Sequence, residues 1–160
     1  MKKKVMLSTY NVFLSVTILA VLCGGLFLQI RHDEFNAVAC LLFSIILILC
    51  GSTLLFSPLS VSLENNCLYV NFALRYKSFP LPDIESVSLC APTMGAQRIC
   101  GSGGFFGYYG WFSERDLGKY FAYHGKASDC FLVTLRNGKK YMLGCQDARE
   151  MVGAIRALLP

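Results

Sequence analysis

The chain has 160 residues, a formal net charge of +5 and 54% apolar residues, which leaves room for one helical hairpin and one small globular domain. The part from Ser57 onward carries eleven basic against eight acidic residues, a net of +3. That charge is too diffuse to argue for nucleic acid and suits a domain lying against an anionic inner leaflet.

Lys2, Lys3 and Lys4 precede two runs, 10–30 and 37–56, that contain no charged residue. At about 1.5 Å per residue each run spans roughly 30 Å, the thickness of a bilayer's hydrocarbon core. Residues 1–56 are therefore expected to form a transmembrane helical hairpin. The connecting segment 31–36 has one basic residue, Arg31. The positive-inside rule then places both termini in the cytoplasm of a bacterial inner membrane, multi-pass. The first run is too long for a signal core and lacks a small-x-small cleavage site, and Leu22 before Cys23 is wrong for lipid modification.

From Ser57 the pattern alternates. Leu59, Val61 and Leu63 predict a first strand, Asn65-Asn66 a turn, and Leu68, Val70 and Phe72 a second strand. Pro80 and Pro82 punctuate the chain before a third strand over 84–89, and 91–112 reads as irregular. Residues 119–124, 131–135 and 141–143 read as further strands. Arg136-Asn137-Gly138 joins the last two. A two-residue turn there would split their apolar residues between faces. A three-residue loop with Gly138 left-handed puts Phe131, Val133, Leu135, Tyr141 and Leu143 on one face. That register also dissolves a cross-strand pairing of Cys130 with Cys145. Asp147 and Glu150 form a capping-box-like pair ahead of Met151, Val152, Ile155, Leu158 and Leu159, one apolar helical face with Ile155 and Leu158 expected to be buried. The expected fold is α+β: five to seven short antiparallel strands closed by a C-terminal helix, over 57–160.

Chemistry is sparse. Cys23, Cys40 and Cys50 lie in the spans, the other five cysteines are scattered singly, and His32 and His124 are isolated. In a reducing cytosol these are free thiols filling small core spaces. No catalytic residue, metal ligand or cofactor site is expected, and no nucleophile–base pair supports an enzyme. The glycines of 101–112 do not make a phosphate loop: Phe106 stands where the dinucleotide fingerprint needs glycine, and no Gly-Lys-Ser/Thr follows. Two readings stay open for Phe105, Phe106, Tyr108, Tyr109, Trp111 and Phe112: packing in the core, or contact with the lipid interface or a partner. Arg75, Lys77 and Arg98 read either as a basic face toward lipid or as ordinary solvated charge.

The segments GSGGFFGYYGWFSERDLGKYFAYH (101–124) and FLVTLRNGKKYMLGCQDAREMVGAI (131–155), behind a two-span anchor, resemble the bacterial pleckstrin-homology-like (PH-like) domain membrane proteins. The resemblance implies a PH-like fold, a strongly bent antiparallel sheet or barrel capped by the C-terminal helix. It implies no activity. PH domains that bind phosphoinositides carry basic residues in the loop between their first two strands. Here that loop is Glu64-Asn65-Asn66, so inositol-phosphate recognition is not carried over. The expected function is a membrane-anchored binding or scaffolding module whose partners are membrane lipid and a protein. The alternative is an accessory subunit of a larger transport or envelope complex, and a membrane-tethered enzyme comes third.

Overall fold

The computed structural model describes residues 1–32, 37–93 and 95–159; most of the expected inter-span loop, 33–36, lies outside the described residues. Strand β1 (Lys2–Lys4) leads into helices α1 (Thr9–His32) and α2 (Ala37–Phe56). Then follow β2 (Ser60–Glu64), β3 (Cys67–Asn71), β4 (Tyr76–Pro80), β5 (Ile84–Leu89), β6 (Gln97–Gly104) and β7 (Gly107–Glu114). The chain ends with β8 (Gly118–His124), β9 (Cys130–Leu135), β10 (Lys140–Gly144) and α3 (Ala148–Leu158).

Helices α1 and α2 are long and apolar enough to cross a membrane. Tyr10, Phe13 and Phe27 on α1, and Leu41 and Ile48 on α2, all stand exposed. So much uncovered apolar surface is stable in lipid and unstable in water. Ser8 caps α1, its Oγ accepting from the Asn11 backbone N–H at 3.1 Å.

The strands form two bent sheets, ordered β1-β2-β3-β4 and β5-β9-β10-β8-β7-β6. They share a core that includes Val61, Leu68, Val70, Phe79, Phe131 and Leu143, with Met151, Val152 and Ile155 of α3 packed into it. The sheets do not close into a barrel, and the strands outnumber the five to seven expected. One pairing is also not antiparallel. The β9–β10 hairpin inserts between β5 and β8, and β10 then runs parallel to β8. Strand β4 was hidden by its proline. It is an edge strand, so the N–H that Pro80 lacks is not missed by the ladder.

Several expectations hold at the level of register. Asn65 and Asn66 both take positive φ (50° and 61°) in the β2–β3 turn. Gly138 lies at φ +78°, Leu135 pairs with Lys139 through a 2.9 Å bond, and Val133 and Phe131 face Tyr141 and Leu143. The five side chains expected on one face of that hairpin contribute to the main core, Tyr141 from its margin, while Leu132 and Met142 on the other face join a second cluster.

The sequence reading of α3 needs two corrections. Ile155 is fully buried, but Leu158 is 54% exposed. The helix unwinds at Leu159 (φ −74°, ψ 138°), and Leu159 folds back onto the core in its place. No capping box forms. Asp147 is left-handed (φ 54°) and makes no side-chain cap bond; an N-cap of that kind needs an extended backbone. Both carboxylates instead accept from Lys3 Nζ, Asp147 at 3.2 Å and Glu150 by a short contact. Strand β1 thus enters the sheet beside β2, so the PH-like sheet takes in residues 2–4 as well as residues after 57.

Candidate functional site

The segment expected to be irregular forms a hairpin, β6–β7, with a register shift between Arg98 and Cys100, and its glycines explain why alternation failed to reveal it. Gly101 and Gly110 face each other at φ +123° and +129°. A Cβ on either would sit 2.2 Å from the facing strand's carbonyl oxygen. The two backbones approach more closely than side chains permit, so glycine stands where a strand pattern would normally show apolar residues. Phe105 and Phe106 form the tip, with Phe106 at φ +50°.

That tip is fastened to the helices. The Phe106 N–H donates to Ser15 Oγ of α1 at 2.8 Å. Its carbonyl accepts from the hydroxyl of Ser57, just past α2, at 2.7 Å. Nearby, Asn11 Nδ2 and the Ser8 N–H both donate to the Gly125 carbonyl, at 2.9 and 3.2 Å. Met6 passes so close that a Cβ on Gly125 would lie 2.4 Å from the Met6 carbonyl oxygen. Hydroxyls buried beside apolar helices need partners. Here Ser57 donates to the hairpin backbone, and Ser15 donates to the Asn11 carbonyl of its own helix at 2.6 Å while accepting from the Phe106 amide.

Pairing across the sheet sorts the aromatics. Cys100, Trp111, Phe121, Tyr141 and Val133 form one cross-strand row, and Ser102, Tyr109, Tyr123, Leu143 and Phe131 the next. Toward β9 this face is covered by the main core. Toward β6 the cover is α2: Tyr109 stacks on Phe56 (6.1 Å between centroids), and its hydroxyl lies 3.3 Å from Ser52 Oγ. Between α2 and the hairpin an open apolar cleft of about 480 Å³ remains, bounded by Leu49 and Phe56 on one side and Phe105, Trp111 and Phe121 on the other. Among the described residues Arg98 is the one charged residue in its lining. Its guanidinium lies over Gly103, where a Cβ would come within 3.3 Å of Nη1. Among the described residues it has no ion-pair partner.

The six candidate aromatics therefore part company. Phe105, Tyr109 and Trp111 line the cleft, with Tyr109 buried and Trp111 42% exposed against Phe121. Phe106 is half-buried at the tip, edge-on to Phe105. Tyr108 and Phe112 point to the opposite face, where Phe112 stacks on Tyr120 and Tyr108 on His124. The three cations also separate. Arg75 donates from Nε to the Leu55 carbonyl at 2.6 Å and lies over the Phe56 and Phe72 rings, capping the end of α2. Lys77 sits over Phe79 and Tyr141. Only Arg98 reaches the cleft. Ser15, Ser52, Phe56 and Ser57 were not among the site candidates. Their signal was the scatter of serines in apolar spans, which reads equally well as helix–helix packing.

The titratable groups are structural in character. Burial lowers the His124 imidazole to about 4, opposed by the Glu114 charge. Glu114 is itself buried, accepting from the Thr93 N–H and hydroxyl and from the Tyr120 hydroxyl. Burial pushes the Cys145 thiol up to about 12 and the Cys130 thiol higher still. A neutral buried imidazole and thiols held protonated are poor nucleophiles and bases at neutral pH. Among the described residues no group of His, Cys, Asp and Glu is arranged to hold a metal ion.

A family model described as a bacterial PH domain matches residues 59–159. Comparison with curated proteins and with solved structures returns no match.

Proposed function

The chain belongs to the bacterial PH domain family, and from that premise we propose that it is a membrane-anchored, non-catalytic binding module. Helices α1 and α2 span the inner membrane, both termini are cytoplasmic, and the PH-like domain is docked on its own anchor. Its working surface is the β6–β7–β8 face beside α2, held at the lipid headgroups. The observation that carries this reading is the double attachment of Phe106, whose N–H and carbonyl are bonded to serines at the same end of both apolar helices. A domain on a flexible tether would need no such joint. The attachment holds an aromatic tip beside the first turns of α1, at the depth where Tyr, Trp and Phe rings are favoured. Lys2–Lys4 support the orientation.

Reporter fusions at position 34 and at the C-terminus test the topology. Opposite signals are expected, with the C-terminal fusion reporting cytoplasm. A periplasmic signal from the C-terminal fusion overturns the reading.

A further inference from the structure

We propose that the cleft between α2 and the β6–β7 hairpin is a binding site for one anionic phospholipid, its acyl chain lying against Leu49, Phe56, Trp111 and Phe121 and its phosphate at the Arg98 guanidinium. The inference rests on the reading that α1 and α2 span the membrane, and it names the ligand of the face described there.

Three observations converge on this occupant. First, the wall of the cleft is α2 itself, from Leu49 to Phe56. Eight residues of helix are about 12 Å, so the cleft follows the last two turns of the span, where acyl chains give way to headgroups. It opens on the same helix whose Leu47 and Ile48 are exposed apolar surface, and a lipid enters it sideways without crossing water. Second, the lining is almost wholly apolar, and its volume of about 480 Å³ falls within the roughly 300–1,000 Å³ usual for ligand sites. Third, the single charge among its described lining residues is a cation. Arg75, by contrast, is already committed to the Leu55 carbonyl. An Arg fork at the edge of an apolar slot matches a phosphodiester by charge and by hydrogen-bond geometry. A neutral lipid or an apolar helix would fill the slot and leave that match unused. The site is separate from the loop at 64–66, which carries no basic residue.

The chain contains one tryptophan, Trp111, and it lines the cleft, so its fluorescence reports occupancy directly. The full-length protein is reconstituted in phosphatidylcholine vesicles containing brominated phosphatidylglycerol or, at equal mole fraction, brominated phosphatidylcholine. Brominated phosphatidylglycerol is expected to quench Trp111 as though enriched roughly fivefold or more at the ring, with the preference surviving salt that screens diffuse surface attraction. Arg98→Gln is expected to abolish the preference while leaving quenching by brominated phosphatidylcholine unchanged. Cys100→Phe, which fills the slot opposite Trp111, is expected to lower quenching by both lipids. Lys77→Gln, which removes a positive charge outside the cleft lining, serves as a control and should keep the preference.

Equal quenching by the two lipids, or a preference that persists in Arg98→Gln, overturns the anionic-lipid site while leaving the membrane anchor standing. No quenching by either lipid from a folded monomer means that Trp111 is not at the bilayer, and the underlying reading fails with it. Protection of Trp111 from both lipids in a protein that elutes as a dimer assigns the cleft to a second copy and overturns the proposal.

Discussion

The β9–β10 and β6–β7 hairpins belong to one sheet, yet they are stabilised in different ways. In β9–β10 one face is buried in the main core, the other places Leu132 and Met142 in a second cluster, and the loop glycine meets open space: a Cβ on Gly138 would touch nothing within 4 Å. In β6–β7 the strands meet through a glycine pair with no such room, and the tip is held by the hydroxyls of Ser15 on α1 and Ser57 just past α2. One hairpin is specified by its own side chains and the core they enter. The other depends on backbone approach and on a surface supplied by a distant part of the chain. Glycine therefore means different things in the two: in the first it allows a turn, in the second it allows contact.

Matched glycine substitutions give the largest expected contrast. Gly110→Ala combines a forbidden φ with a 2.2 Å overlap against backbone and should destabilise by about 4 kcal/mol. Gly138→Ala has the backbone strain alone and should cost about 1 kcal/mol. Thermal melts of the full chain in mild detergent would measure both. Similar losses at the two sites would mean that the hairpins do not differ as described.

A pH titration tests the side of β7 facing away from the cleft, where Tyr108 stacks on His124. The folded imidazole titrates near 4, against an ordinary value of 6.5. The unfolded chain therefore binds the proton first as pH falls. The stability from neutral His124 is complete above about pH 6.5 and is lost progressively toward pH 4, with about 2 kcal/mol gone by pH 5. His124→Phe keeps a ring against Tyr108 and should remove that part of the pH dependence. Parallel curves for the two proteins between pH 7 and 5 would exclude His124 as the group responsible.

The smallest effect concerns the joint. Ser15→Ala leaves the Phe106 N–H without its acceptor and should cost about 1 kcal/mol. Hydrogen exchange should speed up at the Phe106 amide while amides of β9 and β10 stay protected. Unchanged exchange at Phe106 would show that the tip is not held by the helix.

Where side-chain periodicity and local turn chemistry decide structure, the sequence was readable. The two apolar spans, the Asn65-Asn66 turn, the three-residue loop before Lys139 and the buried face through Met151, Val152 and Ile155 all follow from spacing. Legibility stopped at Gly101 and Gly110, because a glycine pair in a strand carries no alternation. It stopped at Pro80, whose meaning depends on whether its strand lies at an edge. Asp147 and Glu150 have the spacing of a cap, but their ion pair with Lys3 depends on a strand more than 140 residues away.

The candidate site divides along the same line. Six aromatics within eight residues marked the segment as unusual, with packing in the core and contact at an interface both open. Register then sent Phe105, Tyr109 and Trp111 to the cleft and Tyr108 and Phe112 to the other face. Of three scattered cations only Arg98 reached that cleft, while Arg75 became the cap of α2. Local sequence determined the spans, the strands with regular alternation and the helix face, because those depend on neighbours a few residues apart. Which residues share a surface depended on pairing across the sheet and on helices docking from the other end of the chain, contacts that only the tertiary structure brings together.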